Sequence, residues 1–173
     1  MEKNKKILIV CPRNVVQGPM AESLFNHMGC SLFGWQVKSV GLSVSKSTDG
    51  RLVSEILQKF AVPHFEKESK VLRSSDIKSS GRILCTDSQI LQHLKSTYYG
   101  CEEKLGLLGD FYPSPGIQIP DPALFTDDPK GYEKCYWLVY KSVKGLVKKL
   151  KEIDEENKPK ENINKKVTEG GGG

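Results

Sequence analysis

The chain has 173 residues and a formal net charge of +5 at pH 7. This length suits a single domain, and the apolar and charged fractions are those of an ordinary globular protein. The basic residues are scattered and are not gathered into a stripe with interleaved aromatics, so we expect no nucleic-acid partner. No run approaches the roughly 18 apolar residues that a membrane span needs, and we therefore expect no membrane contact.

Five cysteines are spread along the chain, at Cys11, Cys30, Cys85, Cys101 and Cys135. They are odd in number and include no Cys-x-x-Cys pair, a spacing that indicates neither a disulfide framework nor a zinc site. We expect no metal and no cofactor. Free cysteines fit a reducing, cytoplasmic location.

Strand-like apolar runs alternate with helical patterns from the N-terminus onward. The predicted strands are 6–10, 35–40, 82–86 and 104–108, and the predicted helices are 19–29, 49–60, 87–97 and a long one whose apolar face runs through 132–150. Asp49 and Asp87 stand where helix N-caps belong. This alternation predicts an α/β fold, a four-stranded parallel sheet with helices on both faces.

A short loop connects the first predicted strand, which ends beside Cys11, to the first predicted helix. Gly18-Pro19 is typical of a helix start. The backbone N–H groups of such a loop and the positive end of the helix converge on one point, which makes an anion site and stabilises a thiolate. We therefore predict a phosphate-binding loop (P-loop) formed by Pro12, Arg13, Asn14, Val15, Val16, Gln17 and Gly18.

Two later segments lack the strand and helix patterns. Residues 109–128 contain four prolines and two glycines, which predicts a fixed, irregular loop with a functional role. Residues 152–173 are rich in Lys, Glu and Asn and end in four glycines, without apolar periodicity. We predict one domain over residues 1–151, followed by a disordered charged tail over 152–173.

Several motifs, in order and at matching spacing, resemble the low-molecular-weight protein tyrosine phosphatases. That family's loop runs Cys-x5-Arg-Ser-Pro-x-Ala-Glu, and here five residues separate Cys11 from Gln17, which Gly-Pro-Met-Ala-Glu follows. The segments that resemble the family's second, third and fourth strands and its Asp-Pro loop are 35–41, 83–87, 105–111 and 119–122. The resemblance covers nearly the whole foldable chain and implies the family's flavodoxin-like fold.

The resemblance also implies roles for individual residues. Cys11 matches the nucleophile that attacks phosphorus, and Asp121 matches the general acid that protonates the leaving phenol. Asn14 matches the asparagine that braces the loop, and Ser39 matches a support residue.

This chain departs from the family at three loop positions. Gln17 stands where the family has the arginine that holds the phosphoryl oxygens, and Gly18 stands at the serine that steadies the thiolate. Arginine supplies a planar, permanent charge, whereas glutamine only forms hydrogen bonds. Arg13 stands at a loop glycine, and we expect its side chain to point outward into solvent without replacing the missing charge.

These residues leave three functions open. The leading one is a catalytically impaired pseudophosphatase that keeps a pocket for a phosphate-like anion or a phosphotyrosine protein. The second is a weakly active phosphotyrosine phosphatase that uses a Cys11 phosphoenzyme and Asp121 as general acid. The third is a thiol-based redox enzyme similar to arsenate reductases, although Val16 occupies the position where some relatives have a second loop cysteine. We expect a monomer or weak self-association.

Overall fold

One parallel sheet forms the centre of the protein. The computed structural model describes residues 4–29, 33–45, 49–124 and 128–159. The sheet has the strand order β2-β1-β3-β4, with neighbouring strands all parallel. The strands are β1 Lys6–Cys11, β2 Gln36–Gly41, β3 Arg82–Cys85 and β4 Leu105–Leu107. The predicted four-stranded parallel sheet is confirmed.

Helices lie between these strands in the chain, and a long one follows β4. They are α1 Gln17–His27, α2 Asp49–Lys59, α3 Ser74–Ser79, α4 Ser88–Thr97 and α5 Pro129–Glu156. Short 3-10 turns occupy Glu102–Lys104, Leu108–Phe111 and Pro122–Leu124. Helix α3, which the sequence did not predict, buries only Ile77 and so has no apolar periodicity. Within the described ranges, no helix combines the length and apolar character needed to cross a membrane.

The sheet is buried on both faces, as a parallel sheet requires. Ile7 and Ile9 of β1 belong to a core that contains residues of α1, α2 and α5, whereas Leu8 and Val10 belong to a second core with residues of α3 and α4. The chain runs from β1 to β2 and then to β3 on the other side of β1, so strand order reverses at the C-terminal end of β1. Ligands of open α/β sheets bind at this kind of reversal.

The two predicted N-caps differ in outcome. Asp87 caps α4, where its side chain accepts a hydrogen bond of 2.8 Å from the backbone N–H of Ile90. Asp49 is instead the first residue of α2, and its carboxylate accepts a hydrogen bond from Arg13.

Helix α5 continues to Glu156, past the predicted end of the domain at residue 151. Ile153 is buried, and the Asp154 carboxylate accepts a hydrogen bond of 2.9 Å from Nε1 of Trp35. Asp154 also pairs with Nζ of Lys5 at 3.2 Å. These contacts with distant residues order a segment whose composition alone suggests disorder. Residues 160–173 of the predicted tail lie outside the described residues.

The contact between Asp154 and Trp35 is testable by substitution. Asp154→Ala leaves the indole N–H of Trp35 without its acceptor, and Trp35 is 1% exposed. An unsatisfied buried donor costs about 1–3 kcal/mol, so we expect the free energy of unfolding to fall by that amount. Chemical denaturation measures it. Glu152→Ala is the matched control, since an exposed residue on the same helix should change stability by about 0.5 kcal/mol or less; equal effects would contradict the assignment.

Candidate active site

The predicted loop wraps around the C-terminal end of β1. Cys11 is the last residue of β1, pairs with Gly41 of β2 and has a relative exposure of 0%. Helix α1 begins at Gln17, directly after the loop, so its first N–H groups lie at the same end of the sheet. The structure therefore brings a cysteine, a loop and a helix N-terminus together, as the sequence predicted for an anion site.

Burial controls the ionisation of Cys11. Desolvation raises the pKa of this thiol from 9.0 to about 11, and the negative charge of Asp121 adds to the increase. Hydrogen bonds from the backbone N–H groups of Gly18, Asn14 and Arg13 lower the pKa but do not outweigh burial. Cys11 is therefore a neutral thiol at pH 7. Its Sγ donates a hydrogen bond of 3.7 Å to the carbonyl oxygen of Val40. Loop N–H groups still converge on the sulfur.

Asn14 and Ser39 are in direct contact. Asn14 has a positive φ of 55°, and its Nδ2 donates a hydrogen bond of 2.7 Å to Oγ of Ser39. Its Oδ1 accepts from the backbone N–H of Lys70 at 2.9 Å, and its carbonyl oxygen accepts from Oγ of Ser69 at 3.1 Å. Ser69 and Lys70 belong to an irregular segment without a sequence signal, so sequence reasoning missed them.

Gln17 links the loop to the segment that carries Asp121. Its side chain is buried, and Nε2 donates a hydrogen bond of 3.3 Å to the carbonyl oxygen of Ile119. The amide thus joins two parts of the backbone and brings no charge to the cleft.

The other loop residues attach the loop to the body of the protein. The carbonyl oxygen of Pro12 accepts hydrogen bonds of 3.1 Å from the backbone N–H groups of Leu42 and Ser43. Val16 is buried in the core and Val15 packs against it half-buried. These contacts attach the loop to the end of β2 and to the core.

The expectation that Arg13 points into solvent is wrong. Its Nε donates to Oδ2 of Asp121 at 2.7 Å and its Nη2 donates to Oδ1 at 3.0 Å. Nη2 also donates to Oδ2 of Asp49 at 3.0 Å. These two partners lie 108 and 36 residues further along the chain, so an argument from the loop alone could not find them. The carboxylates raise the pKa of Arg13, which stays charged.

Asp121 lies near enough to Cys11 for its charge to raise the pKa of the thiol, and both of its oxygens accept hydrogen bonds. Oδ2 accepts from Arg13, and Oδ1 accepts from Arg13 and from the backbone N–H of Ala123 at 3.0 Å. Near it, the Tyr132 hydroxyl hydrogen-bonds to Asp49, and its pKa is raised to about 12, chiefly by burial. One guanidinium thus faces two carboxylates, which leaves this cluster with a net negative charge.

A cleft of about 720 Å³ opens beside the loop. Its lining includes Asn14, Val15, Arg51, Lys67 and His64. The His64 ring forms a hydrogen bond of 2.7 Å between Nδ1 and Oγ of Ser23, and burial lowers its pKa. Across the ranges that the structure describes, no group of three or more His, Cys, Asp and Glu side chains could hold a metal ion.

The lack of space for a side chain at Gly18 provides a test of how the loop packs against Ser39. A Cβ at this position would lie 2.7 Å from Cβ of Ser39, closer than real Cβ contacts. We expect Gly18→Ala to lower the free energy of unfolding by about 1–3 kcal/mol through overpacking, and Gly18→Ser to do the same. Thermal or denaturant unfolding measures the loss.

The control for Gly18 is Gly50→Ala in α2, where an added Cβ meets nothing within 4 Å. This change should be neutral or should stabilise by about 0.5–1 kcal/mol. Adding Ser39→Gly to Gly18→Ala removes the close neighbour and should recover part of the loss, a coupling that a double-mutant cycle quantifies. Strict additivity would refute the contact.

The ionisation of Cys11 is measurable from thiolate absorbance, as the difference between the wild type and Cys11→Ser. We expect a midpoint near pH 11, and an earlier one in Asp121→Asn, which removes a nearby negative charge. Because the folded pKa lies above the ordinary value of 9.0, Cys11 contributes stability that is present below pH 9 and lost as the pH rises through about 11. A midpoint near pH 7 would contradict the neutral thiol.

This arrangement has counterparts among known proteins. The model of the low molecular weight phosphotyrosine protein phosphatase family matches residues 6–158. A low molecular weight phosphotyrosine protein phosphatase from Schizosaccharomyces pombe is 30% identical over 146 residues, which cover 79% of this chain and 90% of that protein. One from Sus scrofa is 26% identical over 156 residues, with coverage of 85% and 96%.

Solved structures agree on the fold. The YwlE arginine phosphatase from Geobacillus stearothermophilus superposes with a TM-score of 0.77 at 22% identity, covering 88% of this chain and 96% of that one. A likeness at this identity establishes a shared fold. Since the family model spans most of the residues and the Schizosaccharomyces pombe relative matches along most of its length, this chain belongs to the low-molecular-weight phosphotyrosine protein phosphatase family.

Proposed function

We propose that this family member is a pseudophosphatase, whose cleft keeps the family's shape and has lost most or all of its catalysis. The observation that carries the proposal is the engagement of Arg13 by Asp121 and Asp49. The one guanidinium on the loop is committed to carboxylates, while Gln17 stands at the family's arginine position.

Charge at the phosphoryl group is the first deficit. Phosphoryl transfer is catalysed almost entirely by positioning and electrostatic stabilisation, and a comparable arginine contributes about 10³–10⁵ in rate. That factor corresponds to roughly 4–7 kcal/mol of transition-state stabilisation. Gln17 donates its amide to the Ile119 carbonyl oxygen and offers no charge in return.

The nucleophile and the general acid are the second deficit. The nucleophile of this chemistry is a thiolate, whereas burial holds Cys11 as a thiol with its pKa raised to about 11. Asp121 accepts hydrogen bonds on both oxygens, so it has to release Arg13 before it can meet a leaving group. The missing charge, the protonated thiol and the engaged Asp121 all oppose phosphoryl transfer.

The backbone cradle supports retained, weak recognition. The N–H groups of Arg13, Asn14 and Gly18 still point towards the sulfur, next to the start of α1. Such a site suits a phosphate-like anion or a phosphotyrosine segment of a protein, with an expected affinity near 1 mM, about −4 kcal/mol. We place the protein in the cytoplasm, as a monomer or with weak self-association; the four described cysteines are free thiols, which fits a reducing compartment.

A weakly active phosphatase is the second candidate, and the proximity of Asp121 to Cys11, whose pKa its charge raises, favours it. The redox enzyme has less support. It needs a low-pKa thiol, and burial raises the pKa of both Cys11 and its neighbour Cys135.

Hydrolysis of p-nitrophenyl phosphate tests the proposal. We expect the wild type to differ little from Cys11→Ser. Gln17→Arg combined with Arg13→Gly should raise the rate by orders of magnitude, because it restores a charge at the phosphate and frees Asp121. Gly18 stays unchanged in this variant, since a side chain there meets Ser39.

Two controls make the assay decisive. Adding Cys11→Ser to the restored variant should abolish the gain, and Gln17→Lys in place of Gln17→Arg should give a smaller gain, since lysine lacks the planar fork. Ordinary enzymes have kcat values of about 1–10³ s⁻¹. If the wild type has a kcat near 1 s⁻¹ and Cys11→Ser abolishes it, the protein is an active phosphatase and the proposal is wrong.

A further inference from the structure

The C-terminal half of α5 carries an unpaired row of lysines beside a groove. Lys141, Lys144, Lys148 and Lys151 follow one another at helical spacings of three or four residues, so they share one face over about 15 Å of helix. All four are exposed, and none forms an ion pair within the part of the chain that the structure describes. The acidic residue Glu152 follows Lys151 and ends the row of lysines.

These lysines border a groove with an apolar floor. The groove has a volume of about 770 Å³, and its other lining residues are Phe111, Pro113, Tyr140, Gly145 and Val147. Lys141 holds its Nζ 5.8 Å from the ring centroid of Tyr112, so the aromatic and cationic walls meet.

Gly145 sets the shape of this groove. A Cβ there would lie 1.9 Å from the carbonyl oxygen of Phe111, so only glycine lets the Leu108–Phe111 turn rest directly on α5. The turn and the lysine row therefore form the two walls of a fixed concave surface.

We propose that this groove is a docking site for an acidic peptide segment of a partner protein, separate from the Cys11 cleft and independent of its function. Glutamate or aspartate side chains of the segment pair with the four lysines, and an apolar side chain between them packs against Phe111 and Val147. Charge complementarity selects the occupant. An extended chain advances about 3.3 Å per residue, so the length of the row matches four or five residues.

Binding of a short synthetic peptide, with glutamates on either side of a central Leu-Phe pair, tests the proposal with the full chain. We expect binding that weakens several-fold when salt rises, and amide shifts confined to residues 111–113 and 140–151. Lys144→Glu with Lys148→Glu should weaken binding by at least about tenfold, and Lys144→Gln with Lys148→Gln by less. A peptide with glutamine in place of glutamate should not bind.

The matched control is Lys78→Glu with Lys95→Glu, which makes the same change in net charge at exposed lysines of α3 and α4. Binding should survive this control. Equal weakening by both pairs, or no peptide binding, overturns the proposal. Tighter binding to phosphatidylserine vesicles or to single-stranded DNA than to the peptide also overturns it, because the occupant is then of another class.

Discussion

The ion pair between Arg13 and Asp121 determines what the cleft can do. It is bidentate, its distances are 2.7 and 3.0 Å, and a second carboxylate from Asp49 holds the same guanidinium. Such charge-assisted pairs are stronger than neutral hydrogen bonds and fix geometry as well as charge. The guanidinium of Arg13 and both carboxylate oxygens of Asp121 therefore have partners within the protein. The positive charge of Arg13 is thus paired with Asp121, the residue that matches the family's general acid.

The neighbouring substitutions fit this altered loop. Ser39 occupies the space next to Gly18, where its hydroxyl accepts from Asn14, and Gln17 ties the start of α1 to Ile119. These hydrogen bonds brace the loop from within the protein. The backbone N–H groups of Arg13, Asn14 and Gly18 point towards Cys11, whereas Gln17 at the family's arginine position brings no charge.

Local patterns predicted the elements, and distant contacts account for the errors. Apolar runs located β1 and its end at Cys11, and Asp87 capped its helix as its residue type predicts. Arg13 was placed wrongly because its partners come from two other parts of the chain. Helix α5 extends beyond the apolar face that ends at Leu150, and there Asp154 accepts a hydrogen bond from Trp35, 119 residues before it. Helix α3 is too short to show a period. Tertiary partners of charged side chains leave no trace in a single sequence.

The two halves of α5 divide the charge of the protein between two surfaces. Its first turns bring Tyr132 and Cys135 under the cleft, where carboxylates outnumber the guanidinium. Its later turns carry four exposed lysines beside an apolar groove. Clefts lined by one sign of charge concentrate ligands of the opposite sign, and this attraction acts beyond contact distance. Under the proposal for the groove, an acidic segment is attracted to the lysine row, whereas the carboxylates of Asp49 and Asp121 oppose an anion beside Arg13. Among the described residues, none lines both the groove and the cleft beside the loop, so each proposal is tested independently of the other.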